Sequence, residues 1–180
     1  MIIIEDLFIP EAKLITGNYI TDIRGCFFKP YNNDEISKLM IKFDVKEIFY
    51  SISKKDVIRG MHFQRPPSSQ AKIITVIKGR ITDVLLDLRK NSRYYGKFIS
   101  IDLKERDGKS IFIPNGVAHG FLGIDMENIV LYLTDTGYSK ENDEGIRYDS
   151  FGYDWGVKSP VLSERDIGFI KFEDFISPFR

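Results

Sequence analysis

The stretch VIRGMHFQ, residues 57–64, contains His62, one of only two histidines in the chain. An imidazole titrates near neutral pH, so a histidine placed in a cleft can accept a proton from a substrate. Gly60 lets the backbone approach a ligand closely, and the neighbouring Arg59 suits an anionic group. The competing interpretation is a turn and a strand that tolerates a histidine. The more specific interpretation is that His62 is a catalytic base and Arg59 an anion ligand, and the residue types alone leave both interpretations open.

Two further residues, Lys72 and Tyr132, are of types that assist proton transfer. Lys72 opens the apolar run KIITVI. If the odd positions of that run face the core, the lysine faces the other way or lies at the mouth of a barrel. Tyr132 alternates with leucines, which predicts that it shares an interior surface with Val130. A tyrosine there more often packs with a satisfied hydroxyl than acts as an acid, so both roles stay open.

The second histidine, His119 in IPNGVAHGF, raises the question of a metal site. Histidines from two strands of a small barrel can bind a transition metal together with a carboxylate. Metal-binding barrels usually carry a His-x-His pair in their first motif, whereas here His62 is followed by Phe63 and Gln64. We therefore expect no metal, and we expect His119 to face or support the substrate, with a structural role as the alternative.

Arg24, Arg59 and Lys72 together can bind a diphosphate, because guanidinium groups pair with phosphate oxygens in a fixed geometry. The chain contains no Walker loop and no G-x-G-x-x-G motif, so phosphate binding by a glycine-rich backbone loop is not indicated. Three unrelated surface charges are the alternative, which spacing alone does not exclude.

Composition narrows the class of protein that must position these residues. A chain of 180 residues with 43% hydrophobic and 29% charged side chains is typical of one globular domain, residues 1–180. The 26 basic and 26 acidic residues cancel, which argues against nucleic acid or a membrane surface as partner. One cysteine, no long apolar run, and Glu5 directly after three isoleucines indicate a cytoplasmic protein without a signal peptide.

The middle of the chain reads as short strands separated by turns. The run AKIITVIKGRITDVLLDLR predicts a hairpin around Lys78–Gly79. KFISIDL alternates apolar and polar residues, and SIFIP and NIVLYLT are further strands. Turns are predicted between them, at LRKNSRYYG, KERDGKS, PNGVAHG and DMEN. Helical signals are confined to NNDEISKLMIKF, with Ile36, Leu39 and Met40 at helical spacing, and to SERDIGFIKFEDFISPF. This pattern predicts an all-β sandwich or barrel with short peripheral helices.

Eight segments, in order from about residue 22 to 166, resemble the dTDP-4-dehydrorhamnose 3,5-epimerase family. They are DIRGCFFKPY, VIRGMHFQ, QAKIITVIKGRITDVLLDLRKNSRYYGK, IFIPNGVAHGFLG, VLYLTDTGY, DEGIRYD, GYDW and LSERD. The resemblance implies a cupin jelly roll that acts as a homodimer, without metal or cofactor, on a nucleotide-diphosphate sugar. The implied reaction is epimerisation of a 4-keto-6-deoxy sugar, by default in polysaccharide or glycan precursor synthesis.

The resemblance also assigns roles to individual residues. His62 is the base, Asp166 of LSERD its partner, Lys72 a ligand near the C4 oxygen of the sugar, and Tyr132 the acid on the opposite face. Arg24, reaching from the partner subunit, and Arg59 match phosphate-binding positions. The full set of implied substrate contacts is Arg24, Phe27, Lys29, Arg59, Gln70, His119 and Tyr138.

Three departures from the family pattern surround these positions. Lys29 stands where a glutamate is common, EIF at 47–49 replaces a Gln-Asp-Asn run, and Gly137–Tyr138 replaces a pair of aromatics. None falls on the base, the acid or the lysine. We therefore expect the proton chemistry to be retained and the contacts with sugar and base to differ.

Two alternatives to the epimerase stay open at this point. A 3,4-ketoisomerase of nucleotide sugars would use the same fold to move the carbonyl group, and a non-catalytic cupin would only bind the sugar nucleotide. The acid in LSERD together with an intact RGMHFQ favours the epimerase over the ketoisomerase. The presence of His62, Lys72, Tyr132 and Asp166 argues against simple binding.

Overall fold

The computed structural model describes residues 2–37 and 42–180, most of which lie in antiparallel strands or their connections. The first sheet contains six strands: Ile3–Asp6 (β1), Lys13–Thr16 (β2), Glu47–Lys54 (β5), Lys72–Lys78 (β7), Lys109–Ile113 (β10) and Glu127–Thr134 (β12). The second contains five: Ile58–Gln64 (β6), Arg80–Asp87 (β8), Phe98–Lys104 (β9), Val117–Gly123 (β11) and Asp143–Gly145 (β13). Tyr19–Asp22 (β3) and Gly25–Phe28 (β4) form a separate two-stranded ribbon.

The two sheets face each other across a shared apolar core, as predicted for a jelly roll. The order of the first sheet is β1-β2-β10-β7-β12-β5, and that of the second is β13-β6-β11-β8-β9. One core cluster draws residues from both, among them Ile74, Val76, Val130, Ile81, Leu85, Leu103 and Phe121. Each is essentially buried, and burying a side chain of this size contributes about 1.5–3 kcal/mol. The sandwich therefore closes around its inward faces.

The predicted hairpin at Lys78–Gly79 is wrong. β7 pairs with β10 and β12 in the first sheet, whereas β8 pairs with β11 and β9 in the second. Gly79 turns the chain from one sheet to the other with φ +80°, and a Cβ there would meet the carbonyl oxygen of Glu127 at 2.3 Å. Turn residues between two β-branched runs mark the reversal but do not specify which strands pair.

The two faces of β7 also differ from the assumption that its odd positions face the core. Ile74 and Val76 point between the sheets, whereas Ile73 packs on the outer side with Ile15 and Phe112. The even positions therefore face the interior, and Lys72 shares that face. The predictions for β9, whose alternation has one buried side, and for Tyr132, which lies in the same cluster as Val130, are confirmed.

The turn predicted over PNGVAHG is confirmed only in its first half. Gly116 has φ +79°, but β11 already begins at Val117, so His119 lies within a strand. The seven residues of β11 are all buried. The alanine, histidine and glycines in the middle of this strand have weak β-propensity, and burial between β6 and β8 favours the strand conformation there.

The C-terminal segment covers the outer face of the second sheet. Phe151, Trp155 and Phe179 pack there with residues such as Met61 and Leu86. The segment contains the predicted helical turns, α2 (Glu164–Ile167) and a 3-10 turn at Phe172–Asp174. Near the N-terminus, α1 spans Asn33–Ser37, and Leu39 and Met40, predicted to continue it, lie outside the described residues. Within the described ranges no helix has the length and apolar character needed to cross a membrane.

Candidate active site

His62 and Asp166 form a hydrogen-bonded pair at the edge of β6. The Nε2 atom of His62 lies 2.9 Å from Oδ1 of Asp166, and the backbone N–H of Gly60 donates to Oδ2 at 3.1 Å. Ser163 caps α2 by accepting a hydrogen bond from the backbone N–H of Asp166. The carboxylate is thus held on two sides, and it fixes the imidazole in turn.

The environment of His62 favours its neutral form. Burial lowers the pKa of His62 from its ordinary value, although the hydrogen bond and charge of Asp166 partly oppose the effect. Lys72 and Arg165 lower it further. If Nε2 carries the proton and donates it to Asp166, Nδ1 is left with a free lone pair. The pair can therefore accept a proton at Nδ1 and stabilise the resulting imidazolium.

Lys72 lies at the start of β7 on the interior face, with 9% of its surface exposed. Burial lowers the pKa of its ammonium to about 8, while Asp143 and Asp83 oppose that change. Among the described residues, only burial and nearby charges shift this pKa, with no contribution from a hydrogen bond to the ammonium. An unpaired cation in a cleft is suited to an anionic or developing negative charge on a ligand.

Tyr132 lies on β12, in the sheet opposite His62. Its hydroxyl is 3.2 Å from Oγ of Ser51, and its ring stacks on Phe49 with centroids 4.8 Å apart and planes 12° apart. Burial raises the pKa of Tyr132 well above its ordinary value, so the hydroxyl stays protonated. Its chemistry is therefore that of a proton donor.

A cleft of about 470 Å³ collects several of the predicted residues between the sheets. Its lining consists of Glu47, Ile48, Phe49, His62, Gln64, Gln70, Lys72, Tyr138, Asp143 and Arg165. Gln70 is anchored by donating to the carbonyl oxygen of Thr136 at 2.7 Å, and Glu47 accepts from the backbone N–H of Tyr138 at 3.1 Å. The three residues of the EIF departure thus lie in the cleft wall, as their sequence position suggested.

Two residues of the cleft, Asp143 and Arg165, were missed by reasoning from sequence. They form a salt bridge of 2.7 Å across the mouth of the cleft, and the guanidinium of Arg165 lies 5.1 Å from the ring centre of Phe169. Both occur in segments that carried the resemblance, DEGIRYD and LSERD. For Arg165 the available signal was its position directly before Asp166, the proposed partner of His62.

Arg24, Phe27 and Lys29 are not brought to this cleft by the chain itself. Arg24 and Phe27 line a separate surface cleft on the β3–β4 ribbon, where Arg24 pairs with Asp22 at 2.6 Å. Lys29 lines another cleft beside α1. All three were predicted to bind substrate. Within a single chain, however, they lie outside the cleft that is lined by His62 and Lys72.

Arg59 and His119 are not among the residues that line this cleft. The Nε atom of Arg59 donates to Oγ of Ser53 at 2.8 Å, which directs the guanidinium toward β5. His119 lies directly across from His62 in the register of β11 and β6. It is 4% exposed, and its Nε2 atom is 2.6 Å from Oδ2 of Asp83.

A metal centre would need at least three clustered ligands. The residues in 2–37 and 42–180 include no group of three or more His, Cys, Asp or Glu side chains placed to hold an ion. Each histidine is instead hydrogen-bonded to one carboxylate. The expectation that the protein works without metal remains a prediction, with a test given below.

Known proteins are similar to this chain in sequence and in fold. A family model described as dTDP-4-dehydrorhamnose 3,5-epimerase matches residues 6–174. The protein of that name from Methanothermobacter thermautotrophicus is 38% identical over 160 residues, 86% of either chain. The dTDP-4-dehydrorhamnose 3-epimerase of Streptomyces niveus is 30% identical over 155 residues, 84% of this chain and 75% of that one.

Solved structures agree on the fold. The Bacillus anthracis dTDP-4-dehydrorhamnose 3,5-epimerase, crystallised with TDP and pyrophosphate, superposes with a TM-score of 0.91 at 31% identity, covering 95% of this chain and 99% of that one. The predicted cupin jelly roll is thereby confirmed. The chain belongs to the dTDP-4-dehydrorhamnose 3,5-epimerase family.

Proposed function

We propose that the protein epimerises C3, C5 or both in a nucleotide-linked 4-keto-6-deoxy sugar. The observation that supports the proposal is that His62, which lines the cleft, and Tyr132, which stacks on the cleft residue Phe49, lie on opposite sheets, in β6 and β12. Inversion of a carbon centre needs a base on one face of the ring and an acid on the other. The two sheets supply one group each.

The first step is proton abstraction beside the ketone. Nδ1 of His62 takes the proton from C3 or C5, and the electron pair of the broken C–H bond forms the C=C bond of an enolate whose negative charge rests on O4. The ammonium of Lys72 stabilises that oxygen, an effect of about 3–4 kcal/mol for a single well-placed donor. Asp166 stabilises the imidazolium that results.

The second step returns a proton to the opposite face. The hydroxyl of Tyr132 donates its proton to the carbanion carbon, the enolate collapses to the ketone, and the centre is inverted. The tyrosinate and the imidazolium then exchange protons with solvent, so the enzyme returns to its starting state. No oxidant or other reactant is consumed, and the chemistry needs no bound cofactor.

We further propose that the site is completed by a second copy of the chain. The edge strand β5 exposes Tyr50 and Ile52 beside the cleft residue Ile48, and the β3–β4 ribbon carries an exposed Arg24 and Phe27. An apolar edge of this kind favours association with another subunit. The ribbon of one subunit would then bring Arg24 to the diphosphate bound by Arg59 of the other.

Mixing two inactive variants tests the shared site. If Arg24 serves the partner, heterodimers of His62→Ala and Arg24→Ala subunits contain one site with every residue intact, and activity reappears on mixing. If Arg24 serves its own chain, both sites stay defective and the mixture remains inactive. Each variant mixed with itself is the matched control.

A narrower reaction, inversion at C3 alone, is supported by the similarity to the Streptomyces niveus protein, whose name specifies a 3-epimerase. A ketoisomerase would instead transfer hydrogen between C3 and C4. A pure binding protein would catalyse neither change. These possibilities share the fold and differ in which C–H bonds are broken.

Incubation with a dTDP-linked 4-keto-6-deoxy-glucose in deuterated water separates them. We expect deuterium at C3, C5 or both, with inversion at the labelled centre, detected by NMR spectroscopy of the product. Migration of the carbonyl group would identify a ketoisomerase. Binding of the nucleotide sugar without any exchange would contradict the proposed function.

A further inference from the structure

A glycine occupies the position next to the proposed base. Gly145 in β13 is the register partner of His62 in β6, and directly opposed residues of an antiparallel pair point to the same face of the sheet. A Cβ atom on Gly145 would lie 2.4 Å from Cε2 of Phe169 and 2.7 Å from the carbonyl oxygen of Met61. The absence of a side chain therefore leaves room for the ring of Phe169 beside the imidazole.

The ring of Phe169 contacts both the base and a charged residue of the cleft mouth. It meets the imidazole of His62 edge-on, with centroids 5.6 Å apart and planes at 76°. The guanidinium carbon of Arg165 lies 5.1 Å from the centre of the same ring, and Arg165 is itself held by a 2.7 Å salt bridge with Asp143. Edge-on aromatic contacts and cation–π contacts both favour a defined orientation of the rings. Phe169 therefore limits how the imidazole can turn.

The backbone on either side of Phe169 is also fixed. The N–H of Gly168 closes α2 by donating to the carbonyl oxygen of Glu164 at 3.1 Å. The carbonyl oxygen of Ile170 accepts from the backbone N–H of Arg147 at 2.9 Å. The segment that starts with the carboxylate bonded to the proposed base thus presents the ring at a defined place.

The ring of Phe169 also faces solvent on a different side from the substrate. Phe169 is not among the residues that line the cleft of His62, and it lines a neighbouring cleft of about 430 Å³ instead. The side chain of His62 is 27% exposed, and burial is the largest cause of its lowered pKa. Loss of the ring would therefore open the imidazole to water from the neighbouring cleft.

We propose that Phe169 is a positioning residue, which fixes the orientation of the His62 imidazole and keeps water of the neighbouring cleft away from it. This inference rests on the proposed function, since it concerns the proposed base. Five residues surround the imidazole from the elements packed against it: Asp166 and Arg165 from α2, Lys72 from β7, His119 from β11 and Gly145 from β13.

The variant Phe169→Ala tests the proposal through the histidine itself. Because the chain contains only two histidines, NMR of the protein labelled at histidine follows each one separately. The pKa of His62 should rise by about 0.5–1, because burial lowers it and the ring supplies part of that burial. The acidic limb of kcat/KM should move to higher pH by the same amount. At pH 7.5 kcat should fall about tenfold with KM little changed, since a loosely oriented base loses part of its effect.

Three further variants separate this role from simple packing. Phe169→Leu keeps an apolar side chain beside the imidazole and should give a pKa and a kcat close to wild type. Ile170→Ala is the matched control, because it shortens the next apolar residue of the same neighbouring cleft, and it should change neither value. Arg165 rests on the ring and its charge also lowers the pKa of His62, so Phe169→Ala is repeated in an Arg165→Gln background, where the rise should persist.

An unchanged His62 pKa or an unchanged kcat in a folded Phe169→Ala protein would overturn the inference. An equal change in Phe169→Leu or Ile170→Ala would do the same, as would loss of the rise in the Arg165→Gln background. If Phe169→Ala does not fold, nuclear Overhauser contacts in wild type decide: they must connect the ring protons of His62 and Phe169, and their absence contradicts the proposal. Failure of the proposed function looks different, because wild type would then exchange no substrate hydrogen while the pKa of His62 still responded to Phe169.

Discussion

Two histidine–aspartate pairs face each other across neighbouring strands, and they differ in access. His62 on β6 and His119 on β11 are register partners. The side chain of His62 is 27% exposed and lines the cleft, whereas that of His119 is 5% exposed and is covered by the core. Their aspartates come from different places, Asp166 from the C-terminal helix α2 and Asp83 from the centre of β8.

This difference in exposure determines which of the two pairs can exchange a proton with a substrate. A base must touch the carbon acid of the substrate, and only the pair with His62 opens to the cleft. A fully enclosed pair has no route to substrate hydrogens but acts through its field, which a low-dielectric interior strengthens. The same two residue types are therefore placed to act as the proposed base at one site and are enclosed by the core at the other.

Removing His62, the histidine that lines the cleft, should cause the largest loss of activity. We expect His62→Ala to lower the rate of solvent hydrogen exchange into the substrate by about 10²–10⁴-fold, the usual contribution of a general base. Affinity for a nucleoside diphosphate and the circular dichroism spectrum should remain close to wild type. Exchange at a near wild-type rate in this variant would rule out His62 as the base.

Removing the charge of Asp166, which is hydrogen-bonded to His62, should lower the rate less than removing His62. Asp166→Asn leaves the imidazole present but removes the charge that stabilises its protonated form, a loss of about 1.5–3 kcal/mol or roughly ten- to hundredfold in rate. Ser163→Ala is the matched control, because it removes the cap on the same helix without altering the charge. A loss as large in the control as in Asp166→Asn would mean that helix position, and not the carboxylate, controls the rate.

The activity of the wild-type protein should fall on the acidic side because of His62 and on the basic side because of Lys72. The base must be neutral, so activity is lost as pH falls through the lowered pKa of His62, below about 6.5. Lys72 must be protonated, so activity is lost as pH rises past its pKa of about 8. A profile of kcat/KM from pH 5 to 10 checks both limbs. A basic limb near pH 10 would contradict the role of the buried lysine.

Chelation should produce no change. Because each histidine is hydrogen-bonded to a single carboxylate, we expect activity after treatment with EDTA or phenanthroline to equal that of an untreated sample carried through the same dialysis. Elemental analysis should find no transition metal in stoichiometric amount. Loss of activity that returns on adding one metal ion per chain would show a metal-dependent site.

Local pattern predicted the strands better than their pairing. Alternation identified β9 and β12, because a half-buried strand imposes a period of two on its residues. The turn at Gly79 looked like a hairpin, but pairing is decided by which sheet offers a complementary apolar face, and that depends on residues far away in the chain. β11 was missed in part, since its strand conformation comes from burial between two neighbours.

In the site, too, single residues were easier to predict than contacts between distant segments. The residue types of His62, Lys72 and Tyr132 signalled chemistry, whereas Asp166, 104 positions from His62, was identified only through the resemblance. Asp143 and Arg165 escaped because their role arises from a salt bridge between β13 and α2 that no local pattern records. Arg24 lies on a ribbon away from the cleft, and only the proposed second copy of the chain would bring it to the substrate.

The central claim is that His62 removes the proton and Tyr132 returns it to the other face. The variant Tyr132→Phe in deuterated water tests this division most directly. We predict that recovered substrate gains deuterium at C3 or C5 with retention of configuration, because His62 still exchanges that proton, while formation of the epimer falls by about 10²-fold or more. Loss of exchange and inversion to the same extent, or continued inversion at the wild-type rate, would contradict the account.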